Sequence, residues 1–205
     1  KTGHDENFTD MKYSIPSDIR VLDMNRDGLA DQLYVGDMGG QVWRFDISQE
    51  GDQPNALVSG GVIANLADTT TAGNRRFYYA PDIALAVDGK DRYLSVAIGS
   101  GYRAHPLNTA VQDRFYMIKM VDTHGKPSSY TTFTESDIYD ATDNLLQEGT
   151  DTEKAAAAVA LSNTDTSRKH GWYIQLENAG EKVLASSATI QNQIVFTTYE
   201  PKPPA

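Results

Sequence analysis

Cysteine is absent from the 205 residues, which removes disulfides, thiolate metal sites and cysteine nucleophiles together. The compartment stays open, because a domain of this size outside the cytoplasm can do without disulfides. No apolar run reaches the roughly 18 residues that a membrane-crossing helix needs. Positive charge is scarce: 18 Lys and Arg stand against 28 Asp and Glu, a net charge of -10. Such a surface repels phosphate backbones and anionic lipid, so neither nucleic-acid binding nor membrane insertion is expected, while cations would be attracted. Histidine is limited to His4, His105, His124 and His170. They are scattered, mostly in loop contexts, with no Ser-His-Asp or paired-carboxylate pattern, so each reads as a surface or turn residue rather than a catalyst. The chain starts at Lys1 with no signal-peptide pattern, and it therefore reads as a piece of a longer protein.

What is present is strand signal. With 40% hydrophobic and 22% charged residues, the composition is that of an ordinary globular protein. QVWRFDI (41–47) alternates so that Trp43, Phe45 and Ile47 share a face, and GWYIQLEN does the same with Trp172, Ile174 and Leu176. RFYMIKMV (114–121) and LSVAIG (94–99) are apolar on both faces, which suits strands buried between layers. IRVL (19–22), QLYVG (32–36), DIALAV (82–87), KVLAS (182–186) and NQIVFTTY (192–199) bring the expectation to roughly nine or ten strands. One helix is expected in a polar excursion from about 134 to 169, where Thr150 and Glu153 form a capping box ahead of EKAAAAVAL. That excursion reads as an insertion decorating a β scaffold. The terminal PKPPA reads as an extended end or the start of a linker.

A loose echo runs through the chain. LYVGDMGGQVWRFDI, LSVAIGSGYRA with DRFYMIKMVD, and GWYIQLENAGEKVLASSATIQNQIVFTTY each run from strand through glycine turn to strand. Repeats of this kind are the habit of β-propeller blades, and four strands to a blade make about two and a half to three blades. The expected fold is all-β, an incomplete propeller with one short helical insertion, residues 1–205 forming part of a single domain.

The most informative stretch is DMNRDGLADQLYVGD, which places three Asp, an Asn and a Gly in residues 23–31. The side chains of Asp23, Asn25 and Asp27, the carbonyl of Leu29 and the carboxylate of Asp31 fall at loop positions one, three, five, seven and nine, around a turn at Gly28. Hard oxygen donors without His or Cys select Ca²⁺ or Mg²⁺, and a flexible loop of many oxygens favours Ca²⁺. An EF-hand would carry a bidentate Glu at position twelve, and here that place is Tyr34 inside a strand. A strand-loop-strand version is therefore expected, with Asp31 or water completing the shell. The alternative is a polar turn without an ion, since Asp, Asn and Gly also favour turns. Repulsion among three close carboxylates weighs against it. Asp37, beyond the loop, reads as a turn residue before Gly39 and Gly40 and not as a ligand.

Taken together, LDMNRDGLADQLYVGDMGGQVWRFDI, then IGSGYR with DRFYMI, then GWYIQLENAGEKVLASSATIQNQIVFTTYEP resemble the C-terminal β-propeller of the PilC/PilY family of type IV pilus tip-associated adhesin and biogenesis proteins. The first block is the most specific, and the resemblance covers most of residues 13 to 201, interrupted by the excursion. It implies a quinoprotein-like propeller fragment from a secreted or pilus-associated surface protein of a Gram-negative bacterium, possible in the periplasm during transit. It also implies a non-enzymatic role in pilus extension against retraction, twitching motility and adhesion, with calcium held by Asp23, Asn25, Asp27, Leu29 and Asp31. The implied partners are the rest of the propeller and the N-terminal region of the same protein, pilins or minor pilins, and a host-surface receptor. Two other readings remain open: a quinoprotein-like propeller enzyme, and a ligand-binding propeller whose calcium is purely structural.

Overall fold

In the computed structural model the described residues are 8–48, 57–88, 91–121, 125–162 and 169–202. Two sheets form its frame, the first an antiparallel meander and the second mixed. The first sheet runs β1 (Arg20–Leu22), β2 (Gln32–Gly36), β3 (Gln41–Ile47) and β4 (Val58–Asn65) in spatial and chain order. The second has the order β5-β6-β7-β9-β8, built from β5 (Asp82–Asp88), β6 (Asp91–Gly99), β7 (Arg114–Met120), β8 (Tyr139–Asp140) and β9 (Gly171–Gln175). β9 pairs antiparallel with β7 and parallel with β8. Two ribbons follow, β10 (Lys182–Val183) with β13 (Thr198–Tyr199), and β11 (Ala188–Ile190) with β12 (Gln193–Val195). The helices are α1 (Leu145–Glu148) and α2 (Asp151–Leu161). The fold is thus mostly β with two helices where one was expected, and with thirteen strands among the described residues.

The sheets face each other across one core. Tyr34 and Val42 of the first sheet and Leu94, Val96, Ile98, Tyr116 and Ile118 of the second are buried in it, with Phe77 between. The second sheet is covered on its other face too, where Ala97, Phe115, Leu176 and Val183 cluster and Phe196 stacks on Phe115 at 3.9 Å. This two-sided burial is what the continuous apolar runs of β6 and β7 require.

β3 departs from its expected pattern. Trp43 and Phe45 do share a face, stacked 6.0 Å apart with Phe8 edge-on to both. The face toward the second sheet, however, carries Val42 together with Arg44 and Asp46, all buried. Their ion pair, 2.6 Å between Nη2 and Oδ1, is 1% and 5% exposed. Tyr130 donates to Asp46 Oδ2 at 2.7 Å, and Arg44 Nη2 donates to the Gly125 carbonyl at 2.9 Å. Each charge has a partner, as burial demands.

β4, VSGGVIAN, was not expected because a glycine pair ordinarily weakens a strand. Here a Cβ on Gly60 would stand 2.4 Å from the Phe45 ring and one on Gly61 2.7 Å from Tyr130. The glycines leave room for aromatic side chains to lie flat on the strand.

The excursion is more than decoration. Glu135 reaches Arg75 at 3.0 Å and Arg114 at 2.5 Å and accepts from Tyr116 at 2.6 Å. Ile138 sits in the main core, and β8 extends the second sheet. The capping box at α2 forms as read, with Thr150 N donating to Glu153 Oε2 at 2.8 Å, and Lys119 Nζ donates to the Leu161 carbonyl at 2.7 Å.

Candidate functional site

The 23–31 loop closes a hairpin. Leu22 pairs with Gln32 across β1 and β2, and Asp31 N donates to the Leu22 carbonyl at 2.8 Å. The strands on both sides exclude a helix-loop-helix, as the sequence implied. Two left-handed residues make the sharp turn, Arg26 at φ 65° and Gly28 at φ 88°. Glycine adopts that conformation freely, whereas Arg26 must be held in it.

The holding groups are the loop's own side chains. Asp23 accepts from Arg26 N at 2.5 Å, Asp27 N at 3.2 Å and Gly28 N at 2.8 Å. Asn25 Oδ1 accepts from Asp27 N at 2.9 Å, and Asp27 Oδ1 from Leu29 N at 2.8 Å. Asp31 Oδ2 accepts from Met24 N at 2.5 Å and Asn25 N at 3.2 Å. All four oxygen-bearing side chains therefore turn inward on one short loop. Leu29 is 57% exposed, so its side chain points to solvent and only its carbonyl could serve as a ligand. Met24 packs on the main core and ties the loop down. Tyr34 is fully buried, donates to Gln32 at 3.0 Å, and has its pKa pushed up to about 12 by burial. It belongs to the core.

The donor set is hard oxygen throughout, which is chemistry that fits calcium. In this structure the carboxylates are engaged with backbone amides, and among the described residues no three His, Cys, Asp or Glu side chains gather as a metal cluster. Beside the loop lies a cleft of about 380 Å³ lined by Met24, Asn25, Asp31, Gln32, Asp46 and Lys126. Gln32 is the Cα partner of Asp46, so the base of the loop abuts the buried Arg44–Asp46 pair.

Asp37 is a turn residue, as expected. Its carboxylate accepts from Gly39 N at 2.8 Å, Gln41 N at 2.9 Å and Trp43 Nε1 at 3.0 Å. Burial raises its pKa, with those hydrogen bonds opposing. Of the histidines, His105 lies against Tyr102 at 4.6 Å and His170 stacks on Phe133 at 4.4 Å; His4 and His124 fall outside the described residues, as does the end of PKPPA.

The sequence reading missed the buried charges, among them Arg44, Asp46, Arg75 and Asp113. For the first two a signal existed: residues two apart on a strand share a face, so WRFDI places Arg44 beside Asp46. Asp113 had no such signal. It accepts from Ser100 Oγ at 2.7 Å, its Oδ2 is buried without a hydrogen-bond partner, and burial raises its pKa against the Ser100 bond and nearby Lys182, Arg75 and Arg76. A carboxyl whose folded pKa lies above its unfolded value is a net cost where it is ionised, and that cost falls away as pH drops through the folded pKa. Asp113→Asn is therefore expected to raise the melting temperature at pH 7, with the gain shrinking toward acid pH. Paired melts from pH 7 to pH 3 check this; a loss at pH 7, or a gain that grows on acidification, would refute it.

No family profile matches the chain. It is 24% identical over 199 residues to a type IV pilus biogenesis factor PilY1 homolog of Xylella fastidiosa, covering 93% of this chain and 13% of that protein. Against the type IV pilus biogenesis factor PilY1 of Pseudomonas aeruginosa it is 34% identical over 68 residues, 32% of this chain and 6% of the relative. The crystal structure of the Pseudomonas aeruginosa PilY1 C-terminal domain superposes with a TM-score of 0.61 at 20% identity, over 89% of this chain and 44% of that one. The chain thus spans a small fraction of these relatives and less than half of the solved domain.

Proposed function

The chain is homologous to the PilY1 type IV pilus biogenesis factors, and from that premise we propose that it is a calcium-binding, non-enzymatic module of a pilus biogenesis and tip adhesin protein. The observation that carries the reading is the hairpin loop, in which Asp23, Asn25, Asp27 and Asp31 turn their oxygens inward between two paired strands. In this reading the four-stranded and five-stranded sheets are adjacent blades of a quinoprotein-like β-propeller, and the two ribbons belong to a third.

In this reading Asp23, Asn25, Asp27, the Leu29 carbonyl and Asp31 hold the ion. A bound Ca²⁺ would draw together the three carboxylates, which here accept hydrogen bonds from the loop's backbone amides, and offset the repulsion that their gathering costs. The chain does the rest. Met24 anchors the loop to the core, the Leu22–Gln32 pairing fixes its ends, and Gln32 lies against Asp46, so stiffening the loop stiffens the hairpin and the edge of the inter-sheet network. The module works at the cell surface or in the periplasm, carried with the pilus. There it supports extension against retraction, twitching motility and adhesion. Its partners are the remainder of the propeller and the N-terminal region of its own protein, pilins or minor pilins, and a host-surface receptor.

Calcium at a hundredfold excess over its Kd adds about 2.7 kcal/mol of stability, or about 5 to 10 °C of melting temperature for a chain of this size. Asp27→Ala should abolish that shift. Identical melting curves in EGTA and in millimolar calcium would sink the metal assignment. In cells, the same substitution should reduce surface pili and twitching. Normal motility together with a lost calcium shift would leave the ion a purely structural one.

A further inference from the structure

The IGSGYR motif has no part in the calcium loop. It forms the end of β6 and the start of the β6–β7 connection, and the backbone there is closely tied. Gly101 N donates to the Arg76 carbonyl at 3.0 Å, Val183 N to the Ser100 carbonyl at 2.9 Å, Arg103 N to the Gly101 carbonyl at 3.0 Å and His105 N to the Tyr102 carbonyl at 3.1 Å. A fixed loop therefore presents its side chains in a set arrangement.

Those side chains are cationic and aromatic. The Arg76 guanidinium lies 4.1 Å over the Tyr102 ring, Arg103 lies 5.7 Å over Tyr79, and His105 packs on the edge of the same group. Arg103 and His105 are exposed, and Leu107, two residues further along the loop, is 66% exposed. In a chain of net charge -10, neither Arg76 nor Arg103 forms an ion pair with a carboxylate among the described residues. Arg76 Nη1 donates to the Asn74 carbonyl at 3.0 Å; stacking occupies the face of a guanidinium and leaves its other in-plane N–H groups to meet a carboxylate edge-on.

We propose that the 100–108 loop docks a short acidic, partly apolar segment of a partner protein, its carboxylates on Arg76 and Arg103 and an apolar side chain on Leu107. Range decides between this occupant and an extended polyanion. At physiological salt charges are screened over about 8 Å, so a short segment meets only the local positive surface. A chain of phosphates or sulfates would run on over an acidic protein and be repelled there.

Fluorescence polarisation with a labelled tetrapeptide, Glu-Leu-Glu-Glu, short enough to stay on the local positive surface, tests the proposal at two salt concentrations. The wild-type chain should bind it saturably, more weakly at the higher salt. Arg76→Ala/Arg103→Ala should bind about fivefold more weakly or not at all, while Arg92→Ala, an exposed cation at the opposite end of β6, should bind as the wild type does. Arg103→Glu, an exposed position, provides a second variant should the double substitution disturb folding, and melting curves check each. Absent saturable binding, or equal binding by the Arg103→Glu variant, overturns the proposal. Heparin competing more tightly than the peptide, with the same dependence on Arg103, overturns it in favour of a polyanion site.

Discussion

Asp46→Ala is expected to destabilise the chain by about 3 to 5 kcal/mol, the range for removing one partner of a buried ion pair. Arg44 is 1% exposed, so the substitution leaves a guanidinium charge in the core without its carboxylate and takes the acceptor from Tyr130 as well. Urea unfolding followed by the fluorescence of Trp43 and Trp172 reads the loss as a lower midpoint. The double variant Arg44→Met/Asp46→Leu should recover most of it, because no lone charge remains and apolar side chains of similar volume fill the space. An Asp46→Ala midpoint near that of the wild type would show that the pair is not buried as described.

The second large effect is expected at Gly171, the first residue of β9. Its φ of 138° is one that other residues rarely adopt, and an added Cβ would stand 2.0 Å from the Met117 carbonyl and 2.9 Å from Ile118 Cα. Both atoms are backbone of the neighbouring strand and cannot swing aside. Gly171→Ala should therefore cost about 3 kcal/mol or more, strain and clash together. Gly125→Ala is the comparison: φ is 82°, but nothing lies within 4 Å of the new Cβ, so about 1 kcal/mol of backbone strain is the expected loss. If the two variants melt together, steric exclusion at β9 is wrong.

The strands legible in the sequence were those whose pattern is local. β3 has a period of two, β6 and β7 are apolar on both faces, and α2 announces itself through Thr150 and Glu153. β4 was hidden because its glycines answer to Phe45 and Tyr130, side chains far away in the chain. β8 is two residues long and has no pattern to read. The loop was legible as a hairpin turn carrying oxygen-bearing side chains at alternating positions. What spacing could not show is where the carboxylates point, since that depends on amides brought round by Arg26 and Gly28. The Arg75–Glu135–Arg114 cluster was illegible for the same reason as β4: it joins three distant segments, and only the fold makes them neighbours.

The strand order of the second sheet has a consequence for how the chain matures. β8 precedes β9 in sequence yet lies outside it, so Tyr139 and Asp140 have no ladder to join until Gly171–Gln175 has docked on β7. During synthesis or export the edge of β7 is therefore left open while the helical segment follows, and an open strand edge can pair with another chain. α1 and α2 involve only neighbouring residues and can form during that interval. The late arrival of β9 then closes the edge, and with it Trp172 and Ile174 come to rest against Met117 and Phe115. In the interval between β7 and β9 a nascent copy of this protein therefore carries an open edge that the finished sheet does not have.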